Sequence, residues 1–310
     1  MWSASSRKID GNTLSGFAAI LLWSTTIALV RSLSEQIGPI TTAAAVYLIG
    51  GSFGFIRLLG GGTPLQKIRT LSGRYLSGCG FLFILYMVVL YLAVGMANNR
   101  QQVLEVGLTN YLWPTLTLVF SLLILKKEAG ILLLPGTLFA LLGIFLVIGQ
   151  EVSVSWESFS HNFFSNPIAY TLGLVAAFSW ALYSNLTRRW AGNSGSGVEI
   201  FMPATGIVFL ILRVLNPERG SWTLQAAGEA VFLGLVTFVA YLLWDQAMRK
   251  GDVVLVAAFS YLTPLFSTLI SCLYLDIKAS LSLWIGCLLI VAGSILSWIS
   301  ISEQKTSKFP

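Results

Sequence analysis

Apolar residues run along this 310-residue chain in blocks of about twenty, parted by short polar, glycine-bearing or proline-bearing breaks. A block of that length crosses a hydrocarbon core as a helix. Ten blocks emerge: Thr13 to Val30, Gly38 to Leu59, Leu76 to Met96, Val103 to Leu125, Leu132 to Gly149, Pro167 to Thr187, Val198 to Leu215, Ala226 to Met248, Val253 to Leu275 and Leu281 to Ile301. Two of them share a phrase, Asn110-Tyr111-Leu112-Trp113-Pro114 in one and Ser260-Tyr261-Leu262-Thr263-Pro264 in the other. The 150-position offset also pairs Tyr91 with Tyr241, Gly136 with Gly286 and Gly143 with Gly293. An offset of 157 pairs Gly16 with Gly173, Trp23 with Trp180 and Arg31 with Arg188. The second half therefore copies the first, a common construction in membrane proteins.

Five spans per copy is an odd number, so each copied helix crosses in the opposite sense to its original. The expected fold is an all-α membrane protein of ten transmembrane helices in two inverted five-helix repeats. Basic residues accumulate on the cytoplasmic side. With the N-terminus inside, that side receives Arg7, Lys8, Arg57, Lys67, Arg69, Arg74, Lys126, Lys127, Arg188, Arg189, Arg249, Lys250, Lys305 and Lys308. Only Arg31, Arg100, Arg213, Arg219 and Lys278 remain outside, so both termini are expected to be cytoplasmic. The parts are a tail at 1–12, a first repeat at 13–149, a periplasmic linker at 150–166, a second repeat at 167–301 and a tail at 302–310. The first span resembles a secretory signal, but its mid-chain copy around Trp180 cannot be cleaved away, so it stays in the mature protein. Short loops predict antiparallel packing of consecutive helices.

Composition agrees, with 55% apolar and only 10% charged residues. A soluble chain carries about 25% charged residues. Membrane topology accounts for the net charge of +6, and no nucleic-acid partner is expected. Cys79, Cys272 and Cys287 lack paired or metal-like spacing and read as small apolar fillers. His161 reads as a solvated loop residue. No metal cluster, phosphate-binding loop or nucleophile-base pair stands in the sequence, so no cofactor is expected. Gly50-x-x-x-Gly54 would allow close helix approach, a weak signal among 29 glycines.

An ionisable residue within a span costs about 2.5 to 3.5 kcal/mol on insertion scales, which makes Glu105 and Asp245 candidate charge-bearing groups. Each also has a structural reading: Glu105 bonded to a neighbouring helix end, Asp245 paired with Arg249 four residues on. Pro114 and Pro264 cannot donate, and in a continuous helix each frees a carbonyl, of Asn110 and Ser260 respectively. Freed carbonyls in a bilayer are re-satisfied or line a wet cavity. Aromatic residues gather nearby: Tyr111, Trp113 and Tyr261 at the breaks, Trp23, Trp180 and Tyr183 in the paired first and sixth spans, and Tyr47, Tyr86 and Trp244 elsewhere. With Asn110 and Ser260 they form the candidate substrate site. Such a wall suits a small molecule with an apolar body and an ammonium head, which aromatic faces attract. Gly95, Gly107, Pro114 and Pro264 are candidate hinges.

With Leu22-Trp23-Ser24-Thr25, Ala44-Ala45-Val46-Tyr47, Glu105-Val106-Gly107, Ser179-Trp180-Ala181-Leu182-Tyr183 and the two proline phrases, the chain resembles the drug/metabolite transporter superfamily with two EamA-type repeats. Within it, the run from Glu105 to Pro114 is most similar to the bacterial aromatic amino acid exporters. The resemblance implies an inner-membrane, alternating-access exporter of aromatic and other neutral amino acids that tolerates cationic compounds such as viologens. One departure stands out: the family pattern has an uncharged polar residue after the eighth-span tryptophan, where this chain has Asp245.

The expected partners are a small-molecule substrate, amino acids, and the lipid bilayer, with a monomer as the working unit. An intramembrane enzyme would need a catalytic dyad or metal set that the sequence lacks. A channel would give unsaturating flux without counterflow. Within the superfamily, the alternative is export of cationic drugs or other metabolites.

Overall fold

The computed structural model describes residues 10–60, 64–148, 156–192, 194–267, 269 and 281–303. Helices dominate: α1 (Gly11–Ile37), α2 (Pro39–Leu59), α3 (Pro64–Arg69), α4 (Gly80–Gly95), α5 (Arg100–Asn110), α6 (Trp113–Ile124), α7 (Leu133–Ile148), α8 (Trp156–Ser165), α9 (Pro167–Trp190), α10 (Val198–Leu215) and α11 (Leu224–Lys250). Helices α12 (Val253–Ser267) and α13 (Leu281–Ser300) complete the set. Their starts are written in the sequence. Asp10 accepts from Thr13 N–H at 2.8 Å, Asn99 from Gln102 N–H at 2.9 Å and Thr223 from Ala226 N–H at 3.0 Å, each satisfying an otherwise orphaned donor. Pro39 and Pro167 open α2 and α9, where a missing N–H costs nothing.

Among the described residues, seven helices are long and apolar enough to cross a membrane, and the bent α1 makes an eighth. Leu123, Leu134, Val214 and Leu288 are each at least 68% exposed, which lipid tolerates and water does not. The chain is a multi-pass membrane protein. Helices α7 and α12 are apolar but shorter than the others. Part of the ninth predicted span, with Cys272 and Lys278, lies outside the described residues, as do 1–9 and 304–310.

Residues 156–165 of the linker form a helix, α8, and His161, expected in a loop, is exposed on it. The helical fold also holds two three-residue strands, Lys127–Ala129 and Ile301–Glu303, paired antiparallel. One sequence expectation needs correction: consecutive helices are not the principal neighbours. The most extensive contacts join α7 to α13, α2 to α10, α1 to α11 and α4 to α9, each pair spanning the two halves. Small residues are the reason. A Cβ on Gly143 would fall 2.6 Å from the Gly286 carbonyl oxygen, and one on Gly293 would fall 2.5 Å from that of Gly136. Likewise Gly51 lies against the Pro203 backbone and Gly54 against that of Glu199. Backbones approach this closely only where side chains are absent. As residue numbers rise along α7 the contacted numbers on α13 fall, and the same holds for α2 and α10, so both pairs are antiparallel.

Replacing Gly293 with alanine is expected to cost about 1 to 3 kcal/mol through overpacking. Gly228→Ala, where a Cβ meets nothing within 4 Å, is expected to be neutral or slightly stabilising. Thermal melting of both variants in detergent compares them, and equal midpoints would contradict the glycine contact.

Candidate aromatic substrate site

Four tryptophans from four helices meet at the centre: Trp23 of α1, Trp113 of α6, Trp180 of α9 and Trp244 of α11. Ring centroids lie 5.8 Å apart for Trp23 and Trp180, 5.2 Å for Trp23 and Trp244, 5.4 Å for Trp113 and Trp244, and 5.8 Å for Trp180 and Trp244. Trp180 also meets Tyr86 at 4.8 Å and Tyr183 at 5.0 Å. Tilted and edge-on pairs at these distances are the favourable arrangements of aromatic quadrupoles. Trp180, Trp244, Trp113 and Tyr183 are buried, whereas Trp23 and Tyr86 retain partial exposure. Each repeat supplies two of the tryptophans. The site is therefore completed only when the halves meet.

Polar atoms at this cluster divide into two groups. Some are satisfied: Trp244 Nε1 donates to Ser184 Oγ at 3.3 Å, and the hydroxyls of Tyr47 and Tyr241 lie 3.1 Å apart. Others are not. Trp23 Nε1, Asn110 Oδ1 and Tyr183 OH are buried without a protein partner. The rings of Trp23, Tyr183 and Tyr86 touch Trp180, and the Asn110 side chain faces the Tyr86 hydroxyl, whereas the Tyr183 hydroxyl lies beside Asp245, Tyr75 and Cys79. An unmet buried polar atom costs about 1 to 3 kcal/mol, which makes those of Trp23 and Asn110 candidate ligand contacts; Thr42, Asn185, Thr187, Ser294, Ser297 and Trp298 carry others elsewhere in the bundle.

The proline phrases behave differently from continuous kinked helices. Helix α5 ends at Asn110, Tyr111 and Leu112 form a turn, and α6 restarts at Trp113 with Pro114 in its first turn. In the second copy a 3₁₀ turn, Ser260–Leu262, precedes Pro264. The Ser260 carbonyl is not free: it accepts from the Thr263 N–H and, at 2.8 Å, from the Thr263 hydroxyl. The Ser260 hydroxyl is also spent, donating to Ala257 O at 2.6 Å. Tyr261 bonds Thr115 at 2.7 Å and, with Tyr111, belongs to a separate apolar cluster among α6, α7, α12 and α13. A Cβ at Gly95 or Gly107 would meet nothing within 4 Å, so packing does not require glycine there.

The comparisons agree with this architecture. The model of the EamA-like transporter family matches residues 13–149 and 167–299. The chain belongs to the EamA-like transporter family. This EamA-like chain is 34% identical over 293 residues to the aromatic amino acid exporter YddG of Salmonella typhimurium, covering 94% of this chain and 98% of that one. It is 32% identical to YddG of Escherichia coli, over 93% and 97% of the two chains, and 31% identical to YddG of Ancylobacter novellus, over 92% and 96%. A solved crystal structure superposes with a TM-score of 0.77 at 29% identity, over 94% of this chain and 98% of that one. The relatives are transporters and not enzymes.

Glu105 and Asp245, the carboxylates singled out from the sequence of this EamA-like chain, both lie in hydrogen-bond networks. Glu105 is fully buried and accepts from Gln101 Nε2 at 3.0 Å, from Asn162 Nδ2 of the linker helix at 3.1 Å and from the Tyr170 hydroxyl. Asp245, also fully buried, accepts from Arg249 Nε at 2.7 Å and from the Tyr75 hydroxyl. Sequence reasoning missed Tyr241, Phe83, Met87 and Tyr75. Tyr241 carried a signal, being the repeat partner of Tyr91, and Phe83 sits one helical turn from Tyr86. Met87, whose sulfur accepts from Tyr47 at 2.7 Å, carried none.

Glu105→Ala is expected to destabilise the protein by about 2 to 4 kcal/mol, because it strands the Tyr170 hydroxyl and the Asn162 amide in a buried site. Glu105→Gln is expected to recover part of that loss. Thermal unfolding measures both, and an unchanged midpoint for the alanine variant would show that the network holds nothing.

Proposed function

We propose that this chain exports aromatic and other neutral amino acids across the bacterial inner membrane by alternating access. The observation that carries the reading is the four-tryptophan cage with two unmet polar atoms beside it. The Trp23 N–H donates and Asn110 Oδ1 accepts. That pair complements a zwitterion: the donor suits a carboxylate and the acceptor an ammonium group, which also gains from the aromatic faces. The rings then cover an indole or phenyl side chain. The names of the three YddG relatives support the same substrate class.

The reading includes ten spans, with α7 and α12 completing the set, in two inverted repeats at 13–149 and 167–301. Antiparallel packing supports inversion, because α7 and α13 are repeat counterparts and so are α2 and α10. Cross-bundle contacts support the sidedness. At the basic end Arg188 donates to Arg249 O at 2.5 Å, Arg57 pairs with Glu199, and the strand at 127–129 meets the strand at 301–303. At the other end Glu218 accepts from the N–H groups of Ile40 and Thr41 at 3.0 and 2.8 Å, capping α2. Positive-inside counting makes the basic end cytoplasmic, the end where α1 begins and the strand 301–303 lies. The broken helices around Pro114 and Pro264, with Gly95 and Gly107, serve as bending points as the repeats rock. A monomer working in lipid suffices, since both repeats lie in one chain.

Purified protein in liposomes is expected to show saturable tryptophan or phenylalanine uptake and counterflow of labelled for unlabelled substrate. Trp180→Ala combined with Asn110→Ala is expected to weaken tryptophan binding by roughly tenfold or more. Undiminished binding would remove the cage from the path, and flux without saturation or counterflow would make the protein a channel. Displacement by a viologen but not by tryptophan would favour the cationic-drug alternative.

A further inference from the structure

At the basic end, one residue past Trp244, Asp245 holds together parts of three segments. Its carboxylate receives the Tyr75 hydroxyl and the Arg249 guanidinium at 2.7 Å. Tyr75 accepts in turn from the Gly197 N–H at 2.9 Å, and Arg249 Nη1 donates to Ser194 O at 2.7 Å. Residues 194–197 belong to the connection between α9 and α10. One carboxylate thereby ties the entry to α4, in the first repeat, to α11 and the α9–α10 connection, in the second. Tyr75 and Asp245 are fully buried, and the Arg249 side chain is 9% exposed. A buried ion pair adds little net stability against apolar packing, yet half of one left unpaired is costly, so such a pair separates as a unit or not at all.

Three neighbouring features make this cluster movable. Tyr75 begins a π turn, Tyr75–Cys79, a local widening that occurs mostly as a single turn at functional positions. Gly78 in that turn lies against the Trp190 ring, and Gly80 just beyond it against Phe201. A cavity of about 290 Å³, lined by Lys67, Thr70, Leu71, Gly195, Ser196 and Glu199, adjoins the connection. Ring contacts run from the cluster to the cage: Tyr75 to Phe201 at 5.6 Å, Phe201 to Phe83 at 5.9 Å, and Phe83 to Trp180 at 6.1 Å.

We propose that Tyr75, Asp245 and Arg249 form the cytoplasmic gate of the transport path, and that their separation admits substrate to the cage. The proposal rests on the alternating-access reading. In an exporter this gate controls loading, and Asp245 acts as a positioning residue that does not touch the substrate.

Cys79 is a native reporter, fully buried one turn from Tyr75. In the full chain carrying Cys272→Ser and Cys287→Ser, the rate of Cys79 alkylation by N-ethylmaleimide measures opening of the cytoplasmic end. Asp245→Asn and Tyr75→Phe are each expected to raise it roughly tenfold, the effect of removing one charge-assisted hydrogen bond from the closed form. Tyr75→Phe removes only a hydroxyl and decides the matter alone if the Asp245 variant does not fold. A second reporter, Tyr91→Cys in a Cys79→Ser background, sits toward the opposite end of α4 and is expected to react more slowly in the gate variants. Unchanged Cys79 rates overturn the gate, as does faster reaction of both reporters, which is general loosening. Counterflow by the parent protein tests the carrier reading separately: counterflow with unchanged Cys79 rates removes the gate alone, and its absence removes the carrier.

Discussion

Helices in lipid gain nothing by hiding apolar side chains from one another, because the tails around them are equally apolar. What remains is close packing, and here it depends on backbone meeting backbone. Gly143 against Gly286 and Gly293 against Gly136 form one such contact, with Gly51 and Gly54 against Pro203 and Glu199 another. The first is self-complementary: exchanging each residue for its repeat counterpart turns one glycine pair into the other. That is the signature of a two-fold interface, realised within a single chain. The rest of the architecture follows, since helices joined across the halves bring both sets of tryptophans to one centre.

Polar groups inside the bundle are treated in two ways. The two carboxylates are saturated, Glu105 receiving donors from three residues and Asp245 from Tyr75 and Arg249. At the cage the Trp23 N–H and Asn110 Oδ1 are left unmet. Low dielectric makes every unmet group expensive and every completed network rigid. A transporter has use for both: rigid closures at the ends, and a costly central deficit that a passing substrate relieves only while it is bound.

The two copies of the proline phrase have diverged in keeping with this division. The first ends a helix at Asn110 and presents Trp113 to the cage. The second places Thr263 where Trp113 stands, and its hydroxyl closes the Ser260 carbonyl instead of facing a ligand. Ser24 of α1 reaches the Thr263 carbonyl at 3.3 Å, so this break is tied down from the opposite repeat. The aromatic wall is consequently uneven, heavier on the side of α6 than of α12.

Sequence alone determined the membrane class and the duplication, because hydrophobic length and repeat offset are properties of the linear chain. Trp23 and Trp180 were legible as repeat counterparts, Trp113 as a residue of the proline phrase, and the Asp245–Arg249 pair as an i, i+4 spacing. Which helices touch was not legible. Loop length suggested neighbours in sequence, while glycine-to-backbone contact selected partners across the repeats. Nor could spacing assign Tyr261 and Tyr111 to a separate cluster, add Tyr241, or find Tyr75 beneath Asp245, since these depend on helix rotation. The helical period says which residues share a face, but only the packed bundle decides what that face meets.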